Sequence, residues 1–125
     1  MKKRQSIPKL KKKLQLVFNS YIRKRDKNKR CISCGQRKPL EAGHYYAVGG
    51  YDGLRFDEDN VHGECARCNR FDQSHLIGYG INLEKRIGAD KIQKLHEKAR
   101  AYKMSGNRWE RDDLEQKIKH YKAQL

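Results

Sequence analysis

Two Cys-x-x-Cys pairs, Cys31-Ile-Ser-Cys34 and Cys65-Ala-Arg-Cys68, constrain what this chain can fold into more than any other feature. Two residues between cysteines let both thiolates reach one tetrahedral ion, and Gly35, directly after the first pair, relaxes the turn so that backbone amides can face sulfur. Thirty residues separate Cys34 from Cys65, enough for a hairpin between the two knuckles. The spacing implies a structural zinc site of Cys31, Cys34, Cys65 and Cys68, whose four thiolates close the coordination shell and leave the ion no chemistry of its own. Two disulfides or a redox pair are the alternatives. They suit an oxidising compartment, whereas the basic start MKKRQSIPKLKKK lacks the apolar run of a signal peptide and no stretch is long enough to span a bilayer. The chain is read as soluble and cytoplasmic.

A structural metal also answers a shortage of core. The 125 residues fit one domain, but only 36% are hydrophobic and the mean hydropathy is −1.10, so burial alone stabilises the fold weakly. Charge points to the partner. Thirty Lys and Arg face fifteen Asp and Glu, a net +15, and residues 1–30 hold thirteen of those cations against Asp26 alone. Such a balance favours a polyanion, nucleic acid before an anionic membrane surface; the partner expected is DNA, with no membrane role. The phosphate-contact candidates are Lys11, Lys12, Lys13, Arg23, Lys24, Arg25, Lys27 and Arg30, joined by Arg67 and Arg70 at the second knuckle.

Hydrophobic periodicity divides the chain into three parts of one compact domain. Residues 1–30 are a basic tail and an amphipathic helix carrying Leu10, Leu14, Val17, Phe18, Tyr21 and Ile22. Residues 31–75 break the helical period; here HYYAV and LRF read as strands flanking the turn GGYDG, with a helix starting near Cys65. Residues 76–125 return to helices, one with Leu76, Tyr79, Leu83 and Ile87, one opening near Asp90, and a last one with Leu114, Ile118 and Tyr121 after the break at Ser105-Gly106-Asn107.

With the cysteines committed to structure, His44, Asn60, His62, Asn69 and His75 remain, crowded into the central part. Phosphodiester hydrolysis needs a base to activate water and a hard cation to neutralise charge on the phosphate and leaving oxygen. Imidazole can be the base near neutral pH. Oxygen donors such as Glu41 and the Asn69 amide suit a Mg2+ or Mn2+ ion.

The segments FNSYIRKRD, CISCG, EAGHY, LRFDEDNVHGEC, CNRF and INLEKRIG resemble the NinG/Rap recombination nucleases of lambdoid phages, within the HNH or ββα-metal superfamily. Phage recombination endonuclease VII is a more distant likeness. The resemblance implies an α+β fold, a small zinc-stabilised ββα-metal (HNH, treble-clef-like) core flanked by several α-helices. It implies a metal-dependent, structure-selective endonuclease acting on branched recombination intermediates such as Holliday junctions and D-loops. His44 then matches the general base, Asn69 a ligand of the catalytic divalent ion, and Asn60 the residue that orients the histidine. His62 matches a family histidine expected near the scissile phosphate or metal. His75 stands where relatives carry Asn, as a further ligand.

Two departures qualify the match. Gly43 replaces the Asp that many HNH enzymes carry just before the catalytic histidine, while Glu41 supplies an acid three residues earlier. Strand alternation puts Glu41 and His44 on opposite faces; a bulge at Gly43 would bring them together. Asp72-Gln73-Ser74-His75 also replaces the relatives' Lys-Ser-Gly-Asn. Paired incision of a junction implies a homodimer, with phage or host recombination proteins as further partners. Two other classes compete: a non-catalytic zinc-finger module that binds nucleic acid, needing the cysteines and basic helix but not His44, Asn60 or Asn69, and a protein-interaction domain.

Overall fold

The computed structural model describes residues 4–125; the first three positions of the basic tail lie outside the described residues. Helix α1 (Ile7–Arg25) begins where Ser6 caps it, its side chain accepting from the Lys9 N–H at 3.3 Å, with Pro8 in the first turn. Leu10, Leu14, Phe18 and Ile22, four residues apart, are all buried, each contributing on the order of 2 kcal/mol. The helix closes at Asp26, behind Arg23, Lys24 and Arg25, which suit the negative end of its dipole.

Two antiparallel strands follow, β1 (Leu40–His44) and β2 (Val61–Cys65), paired Leu40 to Cys65, Glu41 to Glu64, Ala42 to Gly63, Gly43 to His62 and His44 to Val61. The register is unbroken, so no bulge forms at Gly43 and Glu41 and His44 stay on opposite faces. The strands expected at HYYAV and LRF are displaced. The first strand ends at His44, and residues 45–60 form a long connection containing a short 3₁₀ turn, Asp52–Leu54. The cause is Asn60, whose side chain accepts from the Tyr46 N–H (2.8 Å) and donates to the Tyr46 and Leu54 carbonyls (3.1 and 3.0 Å). A side chain thus takes the backbone groups that a ladder would have used, and the β-prone tyrosines pack as an aromatic cluster instead.

After Cys65 the expected helix is only a π-helical turn, Arg67–Phe71. Asp72 breaks it by accepting from the Ser74 N–H and hydroxyl at 2.9 and 2.7 Å. Helices α2 (His75–Ile87), α3 (Ala89–Ser105) and α4 (Arg111–Ala123) complete the chain. The hairpin lies between two helical layers. Val61 and Ala42 join α1, α4 and Phe56 in one apolar cluster; α2 and α3 build a second with Ile32 and Leu54 and reach the other face, where the Tyr79 hydroxyl donates to the Gly43 carbonyl at 2.6 Å. The whole is a small α+β domain with a two-stranded sheet. None of the described helices is long and apolar enough to cross a membrane.

Candidate functional site

The two knuckles meet at the base of the hairpin. All four cysteine Sγ atoms lie within 4.8 Å of one another, Cys34 and Cys65 being 3.9 Å apart. Zinc bound at about 2.3 Å to each sulfur would space them about 3.8 Å apart, so the cluster has the dimensions of a tetrahedral thiolate site. Gly35 sustains the first knuckle with φ +74°, a conformation open to glycine, while its N–H donates to the Cys31 carbonyl. Burial works against ionising Cys31, but N–H groups of Cys34 and Cys65 aimed at its sulfur outweigh it and lower its pKa. Burial and the crowding of sulfurs raise that of Cys68. A cation among them is what lets all four carry charge together.

His44 lies at the far end of β1. Its Nε2–H donates to the Arg55 carbonyl at 3.0 Å, which fixes the ring and leaves Nδ1 as the unprotonated nitrogen. Burial lowers its pKa below the ordinary 6.5. Asn60, fully buried, holds together the loop that carries Arg55. That loop is tied to α1: Arg55 donates to the Gln15 amide oxygen at 2.9 Å, and Lys11 pairs with Asp52 at 2.8 Å.

The opposite face of the hairpin carries carboxylates. Glu41 accepts from the Asn69 amide at 2.9 Å and from Arg70, and Asn69 first, then Arg70, lowers its pKa. Directly across from Glu41 stands Glu64, which is fully buried. Its Oε2 takes the Ser33 hydroxyl and the His75 Nδ1, the latter at 2.6 Å. Sequence reasoning missed Glu64, because its meaning lies in the strand opposite; pairing Glu41 with Glu64 would have exposed it. Glu41 with Asn69, and His75 with Glu64, thus share one side of the hairpin, and His44 is on the other.

His62 is not placed for proton transfer. It is buried, with Nε2–H donating to the Asp59 carbonyl at 3.0 Å and Nδ1 accepting from Arg25 at 3.2 Å. Burial, then the Arg25 charge, pushes its pKa down to about 4. Arg25 itself pairs with buried Asp26 at 2.8 Å, and Asp26 accepts from the Gly63 N–H. Arg25 is therefore a latch between α1 and β2 rather than a phosphate contact. Lys11 and Arg70 are engaged with Asp52 and Glu41, and Lys24 donates to the carbonyls of Gln124 and Leu125. Lys12, Lys13, Arg23, Lys27, Arg30 and Arg67 are exposed. Lys13 shares a groove with Lys119 and Lys122 of α4.

Fold and site together define a small, strongly basic α+β protein whose two-stranded hairpin runs into a four-cysteine cluster able to bind metal. Within that class the chain belongs to the NinG family: the family described as Bacteriophage Lambda NinG protein matches residues 1–125. Protein ninG of Salmonella phage P22 is 38% identical over 94 residues, covering 71% of this chain and 46% of that one. Protein ninG of Escherichia phage 933W is 37% identical over 86 residues, with 67% and 43% covered. That of Enterobacteria phage H19B is 36% identical over 109 residues, with 78% and 54% covered. The chain spans about half the length of the curated relatives it matches. No solved structure matches it.

Proposed function

We propose that this protein is a metal-dependent DNA endonuclease with an HNH-type, ββα-metal site, hydrolysing phosphodiester bonds in branched recombination intermediates. The observation that carries this reading is the setting of His44. Its Nε2–H is bound to the Arg55 carbonyl, its pKa is lowered by burial, and the surrounding loop is pinned by Asn60 and tied to the cationic helix α1. A neutral imidazole held by one nitrogen beside a basic surface is what a general base for phosphodiester hydrolysis requires.

His44 Nδ1 takes the proton of an attacking water as its oxygen bonds to phosphorus. The bond from phosphorus to the leaving sugar oxygen breaks, and that oxygen is protonated from solvent. Asn60 keeps the loop and ring in register, and His62, Arg25 and Asp26 lock β2 to the end of α1. Glu41, Asn69 and His75 offer carboxylate, amide and imidazole donors on one side of the hairpin, a set that suits Mg2+ or Mn2+. When bound, that ion supplies charge neutralisation at the phosphate and leaving oxygen. Zinc in the four-cysteine cluster has a structural role only. The exposed lysines and arginines grip phosphates without reading sequence, so selectivity rests on shape. Paired incisions would be made by a homodimer.

A nucleic-acid-binding module without chemistry is the competing reading, and the separation of His44 from Glu41 across the hairpin favours it. Cleavage of a labelled four-way junction and a matched linear duplex, in Mg2+, Mn2+ or EDTA, decides between them. Metal-dependent cutting of the junction that disappears in a folded, zinc-loaded His44→Ala variant is the expected result. Salt-sensitive binding with no cutting in any metal would replace the enzyme by the binding module.

A further inference from the structure

Helix α1 carries no acid among its 19 residues, and the large apolar side chain it leaves in solvent, Leu16, is 66% exposed. One helical turn away on either side stand Lys12, Lys13, Asn19 and Ser20, and two turns away Lys9 and Arg23. An exposed leucine needs no explanation by itself. This one lines a groove of about 400 Å3 together with Ile7, Pro8, Lys12 and Arg55. Arg55 joins the groove to the candidate base, because its carbonyl accepts from His44 Nε2–H at 3.0 Å.

The polar groups of this groove are already satisfied within the chain. Asp52 is held by Lys11 and Arg55 at 2.8 and 3.0 Å. The Gln15 amide accepts from Arg55 Nε at 2.9 Å and donates to Asn19 at 2.7 Å. What remains open is apolar wall and the free charge of Lys12, a surface that suits a base held by its faces and a phosphate held by its charge, with no base edge read. A second copy of this chain does not suit it, since a symmetric contact through Leu16 would set Lys9, Lys12, Lys13 and Arg23 against the same cations. We infer that the groove takes one unstacked nucleotide of the DNA, its base against Ile7, Pro8 and Leu16 and its phosphate on Lys12. Unstacking a base is costly inside a regular duplex and cheap where stacking is already broken. Leu16 is thereby the residue that favours branched over linear DNA. The inference rests on the nuclease reading above for its use, and it supplies the shape selectivity that reading needs.

Binding of the zinc-loaded chain in EDTA-free buffer without added Mg2+ or Mn2+ tests this apart from cutting. The probes are a labelled linear duplex and the same duplex carrying one unpaired nucleotide, read by fluorescence anisotropy. The wild type is expected to prefer the second probe. Leu16→Ser, a change at an exposed position that leaves the core intact, should weaken that probe by about tenfold while leaving the linear duplex and the salt slope nearly unchanged. Position is read separately with 2-aminopurine as the unpaired base: Leu16→Trp should quench its emission by stacking, and Met104→Trp, exposed on α3, should not. No preference in the wild type, equal losses on both probes in Leu16→Ser, or equal quenching by the two tryptophan variants would each overturn the inference. So would a dimer in sedimentation that Leu16→Ser dissociates, which would give this face to a second copy. Leu16-dependent preference without junction cleavage in any metal would keep the groove and remove the nuclease reading; cleavage with no Leu16-dependent preference would do the reverse.

Discussion

His44 and His62 lie on one hairpin and are both held neutral by burial, with different consequences. A general base works in its neutral form, and His44 is depressed below 6.5. On the nuclease reading proposed above, the acid limb of kcat/KM for junction cleavage should have its midpoint below 6.5, with the rate flat from there through neutral pH; a midpoint above 6.5 would assign the limb to another group. His62 affects stability instead. Its pKa is about 4 in the fold against 6.5 unfolded, so between those values the unfolded chain binds a proton that the native chain refuses. Stability should be level above pH 6.5 and fall as pH drops toward 4. By pH 5 this amounts to about 2 kcal/mol. Asp26 acts lower down: its folded pKa is held below 3.8, so its contribution is lost only as pH falls beneath that. Urea unfolding of zinc-saturated protein at pH 7.5 and 5.0 measures the His62 effect, and His62→Gln should remove most of the difference. An unchanged difference in that variant would place the lost stability elsewhere.

At the scale of elements, the connection between β1 and β2 depends on Asn60. Its three hydrogen bonds to Tyr46 and Leu54 are made in a fully buried position, and truncation strands the Tyr46 N–H and two carbonyls. Asn60→Ala should cost about 3 kcal/mol and lower kcat further than loss of stability explains, since Arg55 and hence His44 lose their support; urea unfolding read beside single-turnover cleavage separates the two. Full activity in a destabilised variant would show that the loop does not position His44. This residue also marks the boundary of what sequence could reveal. The helices were legible because Leu10, Leu14, Phe18 and Ile22, or Leu114, Ile118 and Tyr121, repeat at the helical period. The cysteine cluster was legible because its geometry is set by two short spacers. The strands were not, because Tyr45 and Tyr46 have strong β propensity and nothing local shows that Asn60 will claim the Tyr46 backbone. Misplacing the strands then hid the facing of Glu41 and Glu64, and a buried carboxylate is visible only once its partner strand is known. Arg25 was misassigned for a related reason: it sits in the basic run, but Asp26 beside it is buried and draws it inward.

On the scale of the whole molecule, the core comes in pieces. One apolar cluster joins α1, α4 and the near face of the hairpin, a second joins α2 and α3 to Ile32 and Leu54, and the cysteines with Leu40 form a third. Ile32 lies inside the first knuckle, so loosening the cysteines loosens the second cluster too. Removing metal with a strong chelator should therefore collapse the near-ultraviolet signal of Tyr45, Tyr46 and Tyr79 at a temperature where α1 and α4 keep much of their helical signal; loss of both signals together would show a single cooperative unit. The charge is distributed with similar unevenness, and the structure separates cations paired inward with acids from cations left exposed. Lys11 and Arg25 are paired with Asp52 and Asp26, whereas Lys12 and Lys13 are exposed on the same helix and, among the described residues, pair with no acid. Each phosphate neutralised releases counterions and adds about 0.9 to the slope of log affinity against log salt on duplex DNA. Replacing Lys12 and Lys13 together by Gln should lower that slope by about 2, while Lys11→Gln should leave it nearly unchanged, because its charge is already taken up by Asp52. Fluorescence anisotropy of a labelled junction across a range of salt reads both. Equal slopes for wild type and the Lys12, Lys13 double variant would mean that DNA is gripped elsewhere, at the groove of Lys119 and Lys122 or at the second knuckle beside Arg67.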